Sequence, residues 1–388
     1  MRKIACAAAG LALAACAGVS PTLTTGGGTL AVSANDNKMV LEGGATKVVP
    51  NAAPDTVAII DLRTTPPTVL AEIEAPASVV GPPTSVAIAP DESIALVTAA
   101  MKLSASDPTR QVPDSRVSVI DLTARPPKVI AVLQAGEGAA GVSINRAGNL
   151  ALVANRSEGT VSVFTIAGKT VAPAGKVPVG QGNSGPSHVV FSPDGKTALI
   201  TRDGDHKTSV LAIDGTKVVY TKRDINAGLR PYGLDICAPG NIAVVANIGI
   251  GQGDADTISV VDLTLQPPRV IETLTVGQTP EGIKCSPDGT FVGVVVMNGS
   301  NKAPSSPFYN ANGKLVVYQV SGKTLRKFAE APIGNWSQGI AFAGGHVLVQ
   351  NMVQKNIHVF RLDGGGLVDT GQRLQMKGGP AGIRTAEK

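Results

Sequence analysis

The sequence predicts an all-β fold closed into a seven-bladed β-propeller of four-stranded antiparallel blades, and three observations carry that prediction. From Thr56 onward no window keeps a helical apolar period; apolar residues alternate or run in short groups between Gly, Pro, Asn and Asp. A β-branched strand recurs seven times, starting at Val57, Val117, Val161, Ser209, Ser259, Leu315 and Ile357. A second strand type opens on a Pro or small-residue turn and closes near a Ser-Pro-Asp-Gly turn. It recurs at 83–92, 139–148, 186–195, 231–240, 280–289, 337–345 and from 380 onward. A repeat of about 40 to 50 residues with four strands each is the mark of a propeller.

The elements follow in chain order. Arg2 and Lys3 precede the apolar run from Ile4 to Ala15, which is too short to span a bilayer but has the length of an export signal. Leu13-Ala14-Ala15-Cys16 resembles the bacterial lipobox, which implies a lipidated Cys16 and a protein held to a bacterial membrane on the periplasmic or envelope side. Residues 1–15 are read as the signal, 16–37 as the lipidated cysteine with a flexible tether, and 38–388 as the propeller. The segment from Lys38 to Leu41 is expected to close the ring against the last inner strand, removing the open sheet edges. Three β-branched strands end alike: Asp61-Leu62 before Pro66-Pro67, Asp121-Leu122 before Pro126-Pro127, and Asp262-Leu263 before Pro267-Pro268. Each pair of prolines makes a turn into the next strand. Cys237 and Cys285 lie on neighbouring inner strands one register position apart, and are expected to face opposite ways as buried free thiols.

Composition narrows the function. With 43% hydrophobic and 16% charged residues the chain can build a large core, which excludes a disordered protein. One Trp, four Tyr and no run of Lys or Arg give little basis for nucleic-acid binding. Haem, phosphate-loop and serine-hydrolase motifs are absent, and Gly251 to Asp256 lacks the length and terminal Glu of a calcium loop, so neither cofactor nor metal is expected.

The composite unit joins a Pro-x-Gly turn, Ser-Pro-Asp-Gly, Val-Ala-Asn and a Val-Ser-Val-like strand. It is carried best by Pro280-Glu281-Gly282, Ser286-Pro287-Asp288-Gly289, Leu152-Val153-Ala154-Asn155 and Val161-Ser162-Val163. It resembles the YVTN repeat family of seven-bladed propellers, within the lactonase-like and YncE-like group, over nearly all of residues 38 to 388. That resemblance implies a channel-mouth site and, for the lactonase-like branch, a hydrolase or isomerase.

Aligning the repeats locates candidate residues. The third position of Pro-x-Gly carries Ser85, Gly141, His188, Gly233, Gly282, Gly339 and Gly382, so His188 stands out in a ring of small residues. The x position supplies Ser187, Tyr232, Glu281 and Gln338. Second-strand ends supply Asn155, Arg202 with Asp203, Asn247, Asn298 and Asn351, and Arg230 precedes Pro231. His188 and Glu281 are the candidate acid or base, with Arg202, Arg230 and Tyr232 completing an anion-accepting pocket. Long loops at 100–116 and 298–313 are expected on the same face. The expected function is an exported, monomeric binding propeller for a protein or small-molecule ligand at that loop face, with lactonase-like chemistry as the alternative.

Overall fold

The computed structural model describes residues 27–388; the segment expected to be an export signal and the cysteine expected to be lipidated, Cys16, lie outside the described residues. Seven four-stranded antiparallel sheets are arranged as the blades of a β-propeller. The inner strands are Gly379–Thr385 in blade 1, Val86–Ile88 in blade 2, Ala139–Ile144 in blade 3 and Pro186–Phe191 in blade 4. Pro231–Cys237, Pro280–Cys285 and Ser337–Ala343 serve blades 5 to 7. The recurring β-branched run is the third strand of every blade, from Thr56–Asp61 to Asn356–Asp363.

Third strands read as continuous apolar runs because both of their faces are covered by neighbouring blades. Val57, Ala58, Ile59 and Ile60 are all 0% exposed. Fourth strands form the outer rim and alternate instead, as in Lys128–Gln134, where every second residue is exposed. The core is the set of seams between blades. Leu96 and Val119 of blade 2 pack on Val142, Val153 and Phe164 of blade 3, and Phe291 and Leu315 of blade 6 pack on Ile340 and Phe360 of blade 7. Each such side chain contributes roughly 1.5–3 kcal/mol by burial.

The Asp-Leu turns also tie neighbours together. Asp121 of blade 2 accepts a 2.8 Å bond from Lys169 of blade 3, and Asp262 of blade 5 accepts one of 2.7 Å from Lys323 of blade 6. The first proline of each Pro pair follows a cis peptide bond.

Ring closure differs from expectation. Leu30–Asp36 pairs with the inner strand Gly379–Thr385 on one side and with Thr56–Asp61 on the other, so this stretch is a full propeller strand and not part of a tether. The segment expected to close the ring instead forms a hairpin, Met39–Glu42 with Ala45–Val48. Its Met39 packs beside Val79, Met297, Trp336, Met352 and Ala381. The segment from Lys38 to Leu41 is the more apolar of the two, whereas Leu30–Asp36 is built largely of small residues that fit the crowded interior.

The cysteines are also corrected: Cys237 and Cys285 form a disulfide, their Cα atoms 5.2 Å apart. In a ring, the forward face of one blade meets the rear face of the next. Opposite-facing cysteines on adjacent inner strands therefore approach each other. The bridge joins residues 48 positions apart. Cys237→Ala with Cys285→Ala is expected to remove about 2–4 kcal/mol of stability, read from equilibrium urea unfolding; an unchanged midpoint would contradict a stabilising crosslink.

Candidate functional site at the channel mouth

Inner strands begin at one end of the central channel, and the connections between second and third strands rise around the same end. Inner strands of blades 3 to 7 each shift register between the first residue of Pro-x-Gly and the fourth. The bulge inserts one residue and re-aims the side chains. Glycine at the third position is required by crowding, because a Cβ on Gly233 would lie 2.3 Å from the Glu281 carbonyl oxygen of the next blade.

The mouth divides into two halves. The apolar half is the Met39, Val79, Met297, Trp336 and Met352 group beneath the hairpin. The polar half is built on Asp203, which begins a 3-10 turn, Asp203–Asp205, directly after the second strand of blade 4. Its carboxylate is 3% exposed; Arg156 Nη1 lies 2.6 Å from Oδ1, and Arg156 Nη2 donates to Oδ2 at 3.0 Å. Arg230 Nη2 donates to Oδ2 at 2.9 Å, and Ser187 Oγ to Oδ1 at 2.8 Å. Arg156 also donates to Ser187 Oγ, and its guanidinium carbon stands 5.4 Å above the centre of the Tyr232 ring. Arg230 has φ 55° and His206 φ 57°, and the Arg230 N–H donates to His206 Nδ1 at 3.2 Å, pinning two residues in the left-handed region at the rim.

Glu281 is buried at the x position of blade 6, and its Oε2 has no hydrogen-bond partner. Burial pushes its carboxyl up to about 8, against the pull of Arg156 and Arg230. Burial likewise raises the Tyr232 phenol well above its ordinary value, so it remains an O–H donor. For Asp203, burial opposes ionisation, but Arg156 and the bonds from Arg156, Arg230 and Ser187 outweigh it and hold the carboxyl below its usual value. Beside this group lies a concavity of about 300 Å³ lined by Val80, Met101, Arg156, Asn183 and Asp203. Met101 belongs to a hairpin, Met101–Leu103 with Gln111–Pro113, formed by the first long loop.

The structure thus brings together Ser187, Asp203, Arg230, Tyr232 and Glu281 of the expected set, and adds Arg156. Gln338 is buried with its Nε2 directed to the Trp336 carbonyl at 3.4 Å. Arg202 does not reach the mouth: its guanidinium bonds Asp205, Ser209 and Tyr220 within its own blade. Asn155, Asn247 and Asn351 are also braces rather than ligand donors. Asn155 binds the Gly136 N–H and Ser162 Oγ, Asn247 binds Ser259 Oγ, and Asn351 binds the Gly334 N–H and Ser337 Oγ. Asn298 is not at the equivalent position, which Val296 occupies opposite Pro280; it bonds the Asn312 carbonyl across the second long loop.

His188 is corrected as well. It lies down the channel, where its Nδ1 accepts the Leu234 N–H at 3.1 Å, leaving the neutral ring protonated at Nε2. Burial, with Arg384 and Lys284 adding, depresses its pKa well below the ordinary value. A ring so fixed is a poor base. It lines a deep cavity with Asp235, Arg384 and Glu387. Beyond it, at the other end of the channel, Lys284 Nζ sits 3.1 Å from Asp235 and 2.5 Å from Glu387, beside a cavity of about 150 Å³. Among the described residues no group of three or more His, Cys, Asp or Glu could hold a metal ion.

The chain matches no protein-family model and no curated protein. Solved structures do match. A candidate 6-phosphogluconolactonase from Bacteroides fragilis shares 16% identity at a TM-score of 0.67, over 93% of this chain and 99% of that one. A periplasmic gluconolactonase from Pseudomonas aeruginosa shares 19% identity at a TM-score of 0.62, over 92% and 99%. A functionally unknown protein from Desulfotomaculum acetoxidans shares 16% identity at 0.65, over 86% and 96%. At these identities the likeness establishes the propeller fold.

Proposed function

We propose that this chain is an exported propeller whose channel mouth binds a small polyhydroxylated acid or its lactone and opens the lactone ring. The observation that carries the reading is Glu281, a buried carboxyl with an unpartnered oxygen, set among two arginines and a protonated tyrosine. Ionised Glu281 takes a proton from water as the water oxygen attacks the lactone carbonyl carbon. Arg230 and the Tyr232 hydroxyl donate to the oxyanion that forms. Protonated Glu281 then returns the proton to the ring oxygen as the carbon–oxygen bond breaks, leaving a hydroxy acid. Arg156 is a positioning residue, clamped by Asp203 and Ser187 against the Tyr232 face.

A general base with a pKa of about 8 makes the rate depend on its ionised fraction. kcat/KM is expected to rise about tenfold per pH unit below that value and level off above it, after subtraction of spontaneous hydrolysis in a pH-stat assay. A flat profile between pH 5 and 8 would contradict the role.

Binding without turnover is the second reading. Leu229, Ile250 and Phe308 are 47%, 52% and 46% exposed on loops of the same face, which suits a protein partner there. Export agrees with the Cys237–Cys285 disulfide, since such bonds persist in oxidising compartments. Membership of the YVTN group and anchoring through Cys16 belong to the same proposal, as does a monomeric state.

A further inference from the structure

Asp203 is saturated. Its two oxygens take both Nη groups of Arg156, one of Arg230 and the Ser187 hydroxyl, while the side chain is 3% exposed. The clamp is built into the backbone: Gly185 has φ 60°, and a Cβ there would lie 2.6 Å from Asp203 Oδ1. The Asp203 N–H donates to the Gly185 carbonyl at 3.2 Å, which fixes the turn. Arg156 therefore cannot offer its fork to a ligand without leaving Asp203. Arg230 keeps Nε and Nη1, and its side chain is 35% exposed.

The charge at the mouth follows from these contacts. Arg156, Arg230 and Asp203 are the charged groups that act on both Glu281 and Tyr232. Two guanidinium groups and one carboxylate leave a single positive charge to meet a ligand, and ionising Glu281 cancels it. While Glu281 holds its proton, one carboxylate is matched by that balance; a phosphate dianion is not, and it would also meet the buried Asp203 carboxylate as a like charge.

We propose that Asp203 sets the substrate class, so that the mouth accepts uncharged aldonolactones and their monocarboxylate products and rejects phosphorylated ones. This rests on the lactone reading of the same site. Asp203 acts through the arginines it holds and is a specificity-determining positioning residue. Removing its charge while keeping its shape would free one positive charge for phosphate.

The test compares glucono-1,5-lactone with its 6-phosphorylated form as substrates. Gluconate and 6-phosphogluconate serve as ligands, read by the fluorescence of Trp336, the sole tryptophan, packed in the apolar half of the mouth. Wild type is expected to favour the unphosphorylated lactone in kcat/KM by tenfold or more, and Asp203→Asn to narrow or reverse that ratio by at least tenfold. Wild-type preference for the phosphorylated lactone overturns the inference while leaving ring opening intact, and needs no variant to be decided. If neither lactone turns over, the lactone reading fails; tenfold tighter binding of gluconate than of 6-phosphogluconate still supports the charge rule. Equal or reversed affinities, or no binding of either, overturn it.

Discussion

Glu281→Gln is expected to lower kcat for lactone opening by roughly 10²–10⁴-fold with little change in KM, because the amide keeps the shape of the side chain but cannot take a proton. Stability provides an independent readout on the same variant. The folded-state pKa of Glu281, about 8, stands above its ordinary value of 4.5 because the group is buried. Keeping the proton therefore favours the folded state fully below pH 4.5, and that advantage disappears as pH rises through 8. Glutamine does not titrate. The variant should thus gain stability relative to wild type between pH 5 and 9, in thermal melts, while losing activity throughout. A variant that loses activity and stability together at every pH would indicate a structural role instead.

Lys284→Met is expected to cost about 3–5 kcal/mol, the largest loss of stability from a single replacement in the channel. Lys284 is 11% exposed and is the cation between Asp235 and Glu387, the former also accepting the Cys285 N–H at 2.8 Å. Methionine fills similar volume but leaves the buried Asp235 carboxyl and the partly exposed Glu387 carboxyl without the cation that bridges them, with Arg384 the remaining positive charge nearby. Burial already holds the Asp235 carboxyl above its usual value despite Lys284, so the folded form favours its proton and that contribution is lost as pH rises. The deficit should accordingly be larger at pH 8 than at pH 5 in urea unfolding, and Asp235→Asn in the same chain should recover part of it. A deficit below about 1 kcal/mol at pH 8 would contradict a paired, buried Lys284.

The fold was legible because its constraints repeat. Every third strand is covered on both faces, which forces apolar runs such as Val57 to Ile60, and every inner strand meets a neighbouring backbone, which forces glycine at Gly233 and Gly282. The site was only half legible. Strand-end positions such as Asn155 and Arg202 align well between repeats, yet their side chains point into their own blades. The next residue points the other way, as the period of two requires, so Arg156 and Asp203 reach the mouth. Alternation applied to Asn155 would have found Arg156. His188 stood out by size, but the bulge carries it below the mouth, where the Leu234 N–H occupies its acceptor nitrogen. The disulfide is not legible from alternation within one blade, because the pairing depends on which faces of adjacent blades meet.

A crystal structure with bound gluconate would decide whether the lactone site lies at the channel mouth. The ligand is expected at the mouth, with its C1 carboxylate on Arg230 and within hydrogen-bond reach of protonated Glu281. Gluconate held instead at the opposite end of the channel, beside Asp235 and Lys284, or density confined to the outer strands, would contradict it.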